Sequence, residues 1–169
     1  EEDLLERRGH GADARCIVVG PGARREVTAE AMHLSPGRHA MTSGEFVLEI
    51  RLPARPARAS DAYLRAIPRT EMDIAVVGCG VSLALDGDGT VTGARVSLGA
   101  IAPTALLVAD AGAALVGSKL DEAALARLDE AARAAARPIA DKRGTIEYRT
   151  ALAGVLARRV ALIAYRRAG

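Results

Sequence analysis

The sequence predicts an α+β fold: a three-stranded antiparallel sheet with C-terminal helices packed on one face, preceded by a smaller, partial α/β subdomain. Three observations carry that reading. Residues 63–100 fall into three extended segments, and the tight Asp86-Gly-Asp-Gly-Thr90 turn joins the last two as a hairpin. Beyond residue 110 the apolar positions change to helical spacing and acquire capping residues. Between them and the N-terminal part stands Pro53-Ala-Arg-Pro-Ala-Arg-Ala-Ser60, whose prolines, small side chains and solvated arginines make a linker. Residues 1–53 and 61–167 are therefore expected as separate units.

Each element follows from its residues. Residues 4–8 read as a helical remnant. Arg15-Cys-Ile-Val-Val19 is a strand candidate; Gly20-Pro-Gly22 turns the chain, and residues 24–28 return as the hairpin partner. Residues 31–43 show no clear period, carry Pro36 and Gly37, and read as a loop. Residues 45–52 form a strand that Pro53 ends, because proline cannot donate to a ladder. The meander then runs through residues 63–67, 73–85 and 91–100, with Leu83, Leu85, Val96 and Leu98 expected on one apolar face beneath the helices. Residues 110–115 make a short helix stopping at Gly117. Residues 121–136 make a second, with Asp121 as N-cap, Pro138 beyond its end, and Leu125, Leu128 and Ala132 on one face. Residues 145–167 make a third, in which Tyr148, Leu152, Val155, Leu156, Leu162 and Ile163 are expected as the buried stripe.

Composition narrows the function classes. The chain has 169 residues, long enough for a real hydrophobic core, and half of them are hydrophobic while only 2% are aromatic. Ala, Val and Leu must therefore do the packing, which suits helices laid on a sheet. The net charge of +2 is small, and the arginines are interleaved with acids, so they read as a solvated surface and not as a nucleic-acid footprint. Two isolated cysteines, Cys16 and Cys79, give neither a disulfide framework nor a metal cluster and are expected to be buried and reduced, as in a cytoplasmic protein. No apolar run reaches the ~18 residues of a membrane span. The acidic start, Glu1-Glu-Asp-Leu-Leu-Glu6, is unlike a signal peptide.

Gly78-Cys-Gly80 after an apolar run invites comparison with a dinucleotide-binding turn. That fingerprint needs a third glycine where this chain has Leu83, and a helix where it has alternating strand residues and then a turn. Gly20, Gly22, Gly87 and Gly89 read as hairpin turns. None of the serines has the surroundings of a nucleophile elbow. His10, His33 and His39 lie in or near polar loops without ligand spacing. Asp86 and Asp88 offer too few oxygens for a calcium loop.

Four motifs together resemble a known family. Glu45-Phe-Val-Leu-Glu-Ile-Arg-Leu-Pro53, Tyr63-Leu-Arg65, Arg69-Thr-Glu-Met-Asp-Ile-Ala-Val-Val77 and Leu98-Gly-Ala-Ile-Ala-Pro103 stand in the order and spacing seen in the FAD-binding medium subunit of the molybdenum hydroxylases. That group includes the carbon monoxide dehydrogenase flavoprotein and the flavin domain of xanthine dehydrogenase. The resemblance is strongest over residues 44–107 and extends more weakly over 12–164. It implies that residues 1–53 are the remnant of an FAD-binding subdomain and that 61–167 are a carbon monoxide dehydrogenase flavoprotein C-terminal-like domain.

The resemblance also implies site residues. Val47 matches an apolar residue that packs on the flavin ring; as a residue of an alternating strand it would otherwise be core. Arg65 matches a basic residue near the flavin, commonly Lys, and otherwise reads as a surface residue. Tyr63 stands at the flavin edge or is a half-buried anchor. Asp3, in an Asp-Leu pair, matches a flavin or ribityl contact, although its spacing departs from the family's by about one residue. Glu71 and Asp73 read as loop-ordering acids and not as cofactor contacts.

The family's two glycine-rich pyrophosphate loops have no counterpart here, so the chain alone is expected to bind FAD poorly. The implied function is the C-terminal part of the FAD-carrying electron-transfer subunit of a molybdenum hydroxylase-type oxidoreductase. The implied partners are a molybdenum-cofactor large subunit and a small subunit with 2Fe-2S clusters. The alternative is a non-catalytic assembly module that kept the fold and lost flavin binding.

Overall fold

The computed structural model describes residues 13–69 and 72–169. The helical remnant at residues 4–8, Asp3, His10 and Glu71 lie outside the described residues.

The N-terminal unit is a small antiparallel sheet. Strands β1 (Arg15–Val19) and β2 (Arg24–Thr28) form the expected hairpin, with Arg15 opposite Thr28 and Val19 opposite Arg24. Its turn is closed by the Gly20 N–H donating to the Ala23 carbonyl at 3.0 Å. Strand β5 (Phe46–Arg51) pairs antiparallel with the other side of β1, giving the order β2-β1-β5. Residues 31–43 differ from the loop expected of them. Thr28 caps a single turn, α1 (Ala29–Met32), by accepting from the Ala31 N–H at 3.2 Å. Strands β3 (His33–Ser35) and β4 (Arg38–His39) then form a miniature hairpin. Its turn is Pro36-Gly37, with Gly37 at φ +72°, the order and sign that a type II turn requires. Elements of two to four residues are too short to show a period, so only their turn residues were legible.

The larger unit is the meander. Strand β6 (Ala59–Ala66) pairs with β7 (Val77–Leu85), and β7 pairs with β8 (Val91–Gly99), all antiparallel. Two boundaries move. β6 starts inside the expected linker. β7 starts four residues late, because the Asp73 carboxylate accepts the N–H groups of Arg69 (3.0 Å) and Ile74 (2.8 Å) and so holds that stretch as a loop. A two-residue strand, β9 (Leu106–Leu107), adds a fourth member beside β8. The Asp86–Thr90 turn forms as expected: Asp86 Oδ1 accepts from the N–H groups of Asp88 (2.9 Å) and Thr90 (2.8 Å). No helix begins at Gly80.

Helices α2 (Ala109–Ala113), α3 (Glu122–Ala135) and α4 (Ile146–Ala168) complete the chain. Asp121 caps α3 by accepting from the Ala124 N–H at 2.8 Å, and Thr145 caps α4 by accepting from the Tyr148 N–H at 3.1 Å. Leu83, Leu85, Val96 and Leu98 are buried in one core with Leu125, Leu128 and Ala132 of α3. In α4 the buried face is rotated from the one expected. Ala153, Leu156, Ala157, Val160, Ala161, Ala164 and Ala168 are buried, together with Arg149, whereas Tyr148 is 53% exposed and Leu162 36%. The larger apolar residues do not define the contact because the alanine face lets the helix lie close on β6 and β7. The far end of α4 is fixed where the Tyr165 hydroxyl donates to the Gly89 carbonyl at 2.7 Å.

Candidate functional site

Strand alternation divides the larger sheet into two unlike faces. Cys79, Val81 and Leu83 of β7, with Leu98 and Val96 of β8, face the helices. The other face carries Tyr63 and Arg65 of β6, then Gly80 and Gly78 directly opposite them on β7, then Ser97 and Gly99 on β8. Three glycines on neighbouring positions leave a strip of bare backbone, and Gly78, Gly80, Ser97 and Gly99 are all buried. The Ser97 hydroxyl donates to the Gly80 carbonyl at 3.4 Å.

Tyr63 and Arg65 are thus together on one face at the edge of this strip. Tyr63 is half-buried and Arg65 is exposed. Among the described residues, the Arg65 guanidinium has no ion-pair or hydrogen-bond partner. The strip itself is buried, so the exposed Arg65 guanidinium, and not the bare backbone, is what this edge of the sheet presents to a ligand that gains negative charge.

Val47 lies elsewhere, half-buried on β5 opposite Val18 of β1, in a different sheet from Arg65. The two units are nevertheless tied together on the glycine face. Arg95, which shares that face through Ser82 and Asp61, pairs with Glu30 of α1 and lies 3.9 Å from the Asp13 carboxylate before β1. The helices cover one face of the sheet, and this ion pair joins the N-terminal unit to the other.

The loop before β7 is ordered from two sides. Burial acts to raise the Asp73 carboxyl, but the N–H groups of Arg69 and Ile74 and the nearby Arg69 guanidinium outweigh it and hold the group below its usual value. Arg149, only 4% exposed, was not anticipated. Its Nη1 donates to the Val76 carbonyl at 2.9 Å and its Nη2 to Asp141 Oδ1 at 2.6 Å, while among the described residues its Nε has no partner. The Asp141 carboxyl is held low by the Arg143 N–H and then by Arg149. One signal for Arg149 existed: it lies four residues before Ala153 and seven before Leu156, on the line of the alanine face.

The fit to a flavin differs along the length of such a ligand. Arg65, exposed beside half-buried Tyr63, has the charge to meet a ring, whereas the buried glycine strip is closed to one. Among the glycine-bearing turns, Gly20 closes the β1–β2 hairpin, and a Cβ there would meet the Glu45 side chain at 2.9 Å. Gly89, at φ +82°, shapes the β7–β8 turn. Among the described residues no group of three or more His, Cys, Asp or Glu side chains is placed to hold a metal, and no helix is long and apolar enough to cross a membrane.

Comparison with known proteins adds four findings. Residues 62–164 match the family of the CO dehydrogenase flavoprotein C-terminal domain. The carbon monoxide dehydrogenase medium chain of Hydrogenophaga pseudoflava is 32% identical over 155 residues, 92% of this chain and 53% of that one. A putative xanthine dehydrogenase FAD-binding subunit of Escherichia coli is 25% identical over 149 residues, 88% of this chain and 51% of that one. Among solved structures, the Hydrogenophaga pseudoflava carbon monoxide dehydrogenase lacking the Mo-pyranopterin moiety of its cofactor superposes with a TM-score of 0.90 at 33% identity, over 96% of this chain and 56% of that one. The chain therefore spans about half the length of the relatives it matches.

Proposed function

Because this chain belongs to the CO dehydrogenase flavoprotein C-terminal domain family, we propose that it is the C-terminal part of an FAD-carrying electron-transfer subunit in a molybdenum hydroxylase-type oxidoreductase. The observation that carries the proposal is the placement of the exposed Arg65 beside Tyr63 on the face of the sheet opposite the helices. FAD, when bound, supplies the redox chemistry. The chain supplies the surroundings of the ring. Tyr63 borders it, and Val47 adds an apolar contact from the N-terminal unit. Arg65 provides a fixed positive charge that favours an anionic reduced ring; a guanidinium cannot lose its proton to cancel the effect.

In this proposal the pyrophosphate end of FAD is held outside the turns described here, and the molybdenum cofactor and 2Fe-2S clusters reside on separate large and small subunits. The relatives' names support a division into subunits: one is a medium chain, and the other an FAD-binding subunit. A cytoplasmic location accords with Cys16 and Cys79, which are buried and unbridged.

The test is a redox titration of the assembled flavoprotein with Arg65→Ala and Arg65→Lys. Loss of the cation should make the flavin potential more negative, and Lys should restore most of it. Stability should change by no more than about 0.5 kcal/mol, since the side chain is exposed. An unchanged potential would remove Arg65 from the site.

A further inference from the structure

We propose that Arg149 is a positioning residue for Arg65: its guanidinium holds the Val76 carbonyl, and through Val76 it fixes the end of strand β6 from which Arg65 projects. The inference rests on the flavin reading of Arg65 and deepens it. Arg149 lies in the first turn of α4, on the helix side of the sheet, and is buried. Arg65 lies on the opposite face, one residue from the end of β6. The sheet therefore separates Arg149 from any group bound beside Arg65, and its influence there passes through the backbone between them.

That path is short. Arg149 Nη1 donates to the Val76 carbonyl at 2.9 Å, and the Val76 N–H donates to the Ala66 carbonyl at 2.8 Å. Ala66 is the last residue of β6 and the neighbour of Arg65. Beyond it stand Ile67 and then Pro68, which has no N–H to give to a ladder. The Val76 bond thus closes this end of the strand pair. Arg149 is itself held, since its Nη2 donates to Asp141 Oδ1 at 2.6 Å. Asp141 in turn is fixed by two backbone hydrogen bonds with Gly144, each 3.1 Å. The Arg143 guanidinium of the same turn lies 3.9 Å from the Asp73 carboxylate, which orders the loop before β7.

Stability alone does not account for a guanidinium in this place. Desolvation offsets much of the attraction within a buried ion pair, and a well-packed apolar side chain often stabilises as much. The arrangement is also incomplete, because among the described residues the buried Arg149 Nε has no partner. What a planar guanidinium adds is direction: donors in a fixed fork, here one on a carboxylate and one on a single carbonyl. Arg65 depends on such a hold. Its side chain is exposed and has no partner among the described residues, so the backbone of β6 sets where its charge stands. The effect of that charge on a neighbouring ring falls with distance, so a loosened strand end weakens it.

The experiment pairs redox titration of the assembled flavoprotein with amide exchange of the chain without flavin. Arg149→Met should make the flavin potential more negative, by less than Arg65→Ala does, and Arg149→Lys should restore part of the loss. In the Arg65→Ala background Arg149→Met should add no further shift. In exchange, Arg149→Met should speed the Val76 N–H at least about tenfold. The Leu85 N–H, bonded to the Arg58 carbonyl at 2.9 Å at the other end of the same strand pair, should change less. Three results overturn the positioning role: equal acceleration at the two amides, an Arg149→Met shift that persists in full after Arg65→Ala, or a potential that Arg65→Ala moves and Arg149→Met does not. If Arg149→Met fails to fold, Asp141→Asn carries the same measurements with smaller changes of the same sign, since it weakens the anchor of the guanidinium and keeps its shape. A Val76 amide that responds in a protein whose potential ignores Arg65→Ala refutes the flavin reading, and the role of Arg149 falls with it. Any of the three overturning results with Arg65→Ala still effective refutes the positioning role alone.

Discussion

Arg149 is the residue on which the loop before β7 depends most. A guanidinium this buried must be compensated, and it is, by the Val76 carbonyl and the Asp141 carboxylate. Arg149→Met should leave that carbonyl without its donor and destabilise the fold by about 1–3 kcal/mol in urea unfolding; a change within error would show that water replaces the guanidinium without cost. Glu45 is a second fixed point. It accepts from Arg25 Nε at 2.9 Å, from Arg25 Nη2 at 2.8 Å and from the Thr42 N–H at 2.7 Å, and the Arg25 hydrogen bonds, followed by that of Thr42, hold its carboxyl at about 2. An unfolded glutamate titrates near ~4.3. Because the folded value is depressed, the contribution of Glu45 is complete above that pH and disappears as the pH falls through about 2. Stability measured from about pH 5 down to pH 2 should therefore drop more steeply for the unaltered chain than for Glu45→Gln. Parallel curves would mean that the Arg25 pair is not formed in solution. Burial pushes the Cys79 thiol up to about 12 and raises Cys16 as well. Neither should react with a thiol reagent at about pH 8 until the chain is unfolded; rapid labelling of the native protein would contradict the buried placement.

Among the elements, the closeness of helix to sheet is set by small residues. A Cβ on Gly112 would come 2.6 Å from the Ala94 carbonyl oxygen, which is backbone and cannot rotate away. A Cβ on Gly154 would meet the Asp129 carboxylate at the same distance, but that is a side chain, which can move at the expense of its pair with Arg133. Gly112→Ala should cost about 1–3 kcal/mol by overpacking, and Gly154→Ala less; the reverse order in thermal unfolding would place α2 further from β8 than described. The same small residues explain what was legible in the sequence. The hairpins were readable because their turns carry chemical markers, Gly20-Pro-Gly22 and Asp86 to Thr90. Helix α3 was readable through its Asp121 cap, and α4 through the helical recurrence of its apolar residues. The buried face of α4 was not, because hydrophobicity points to Tyr148 and Leu162 while close packing selects Ala153, Ala157, Ala161 and Ala164. Strand β9 has two residues and owes its existence to the finished edge of β8, a tertiary effect without a local signal.

At the scale of the whole molecule, two unlike sheets meet through Arg95, and the candidate site lies on the face they share. Its strand residues were legible as a motif: Tyr63 and Arg65 do share a face, and the glycines that once suggested a phosphate turn are the bare strip opposite them. Arg149 went unread, since an arginine in an alanine-rich helix ordinarily marks the solvent side and its alignment with Ala153 and Leu156 tells otherwise only once the buried face is known. Nor could the linear sequence show that Val47 stands in a different sheet from Arg65. The central proposal is that this chain furnishes the ring end of a flavin site and leaves the pyrophosphate end to the half that precedes this region in the medium chains. Calorimetric titration of FAD into the chain alone, and into its equimolar complex with that half, tests this most directly. The expected result is no saturable binding by the chain alone at micromolar FAD and saturable binding by the complex, with the visible spectrum of bound flavin. Micromolar or tighter binding by the chain alone, or an assembled complex that takes up no flavin, would contradict it.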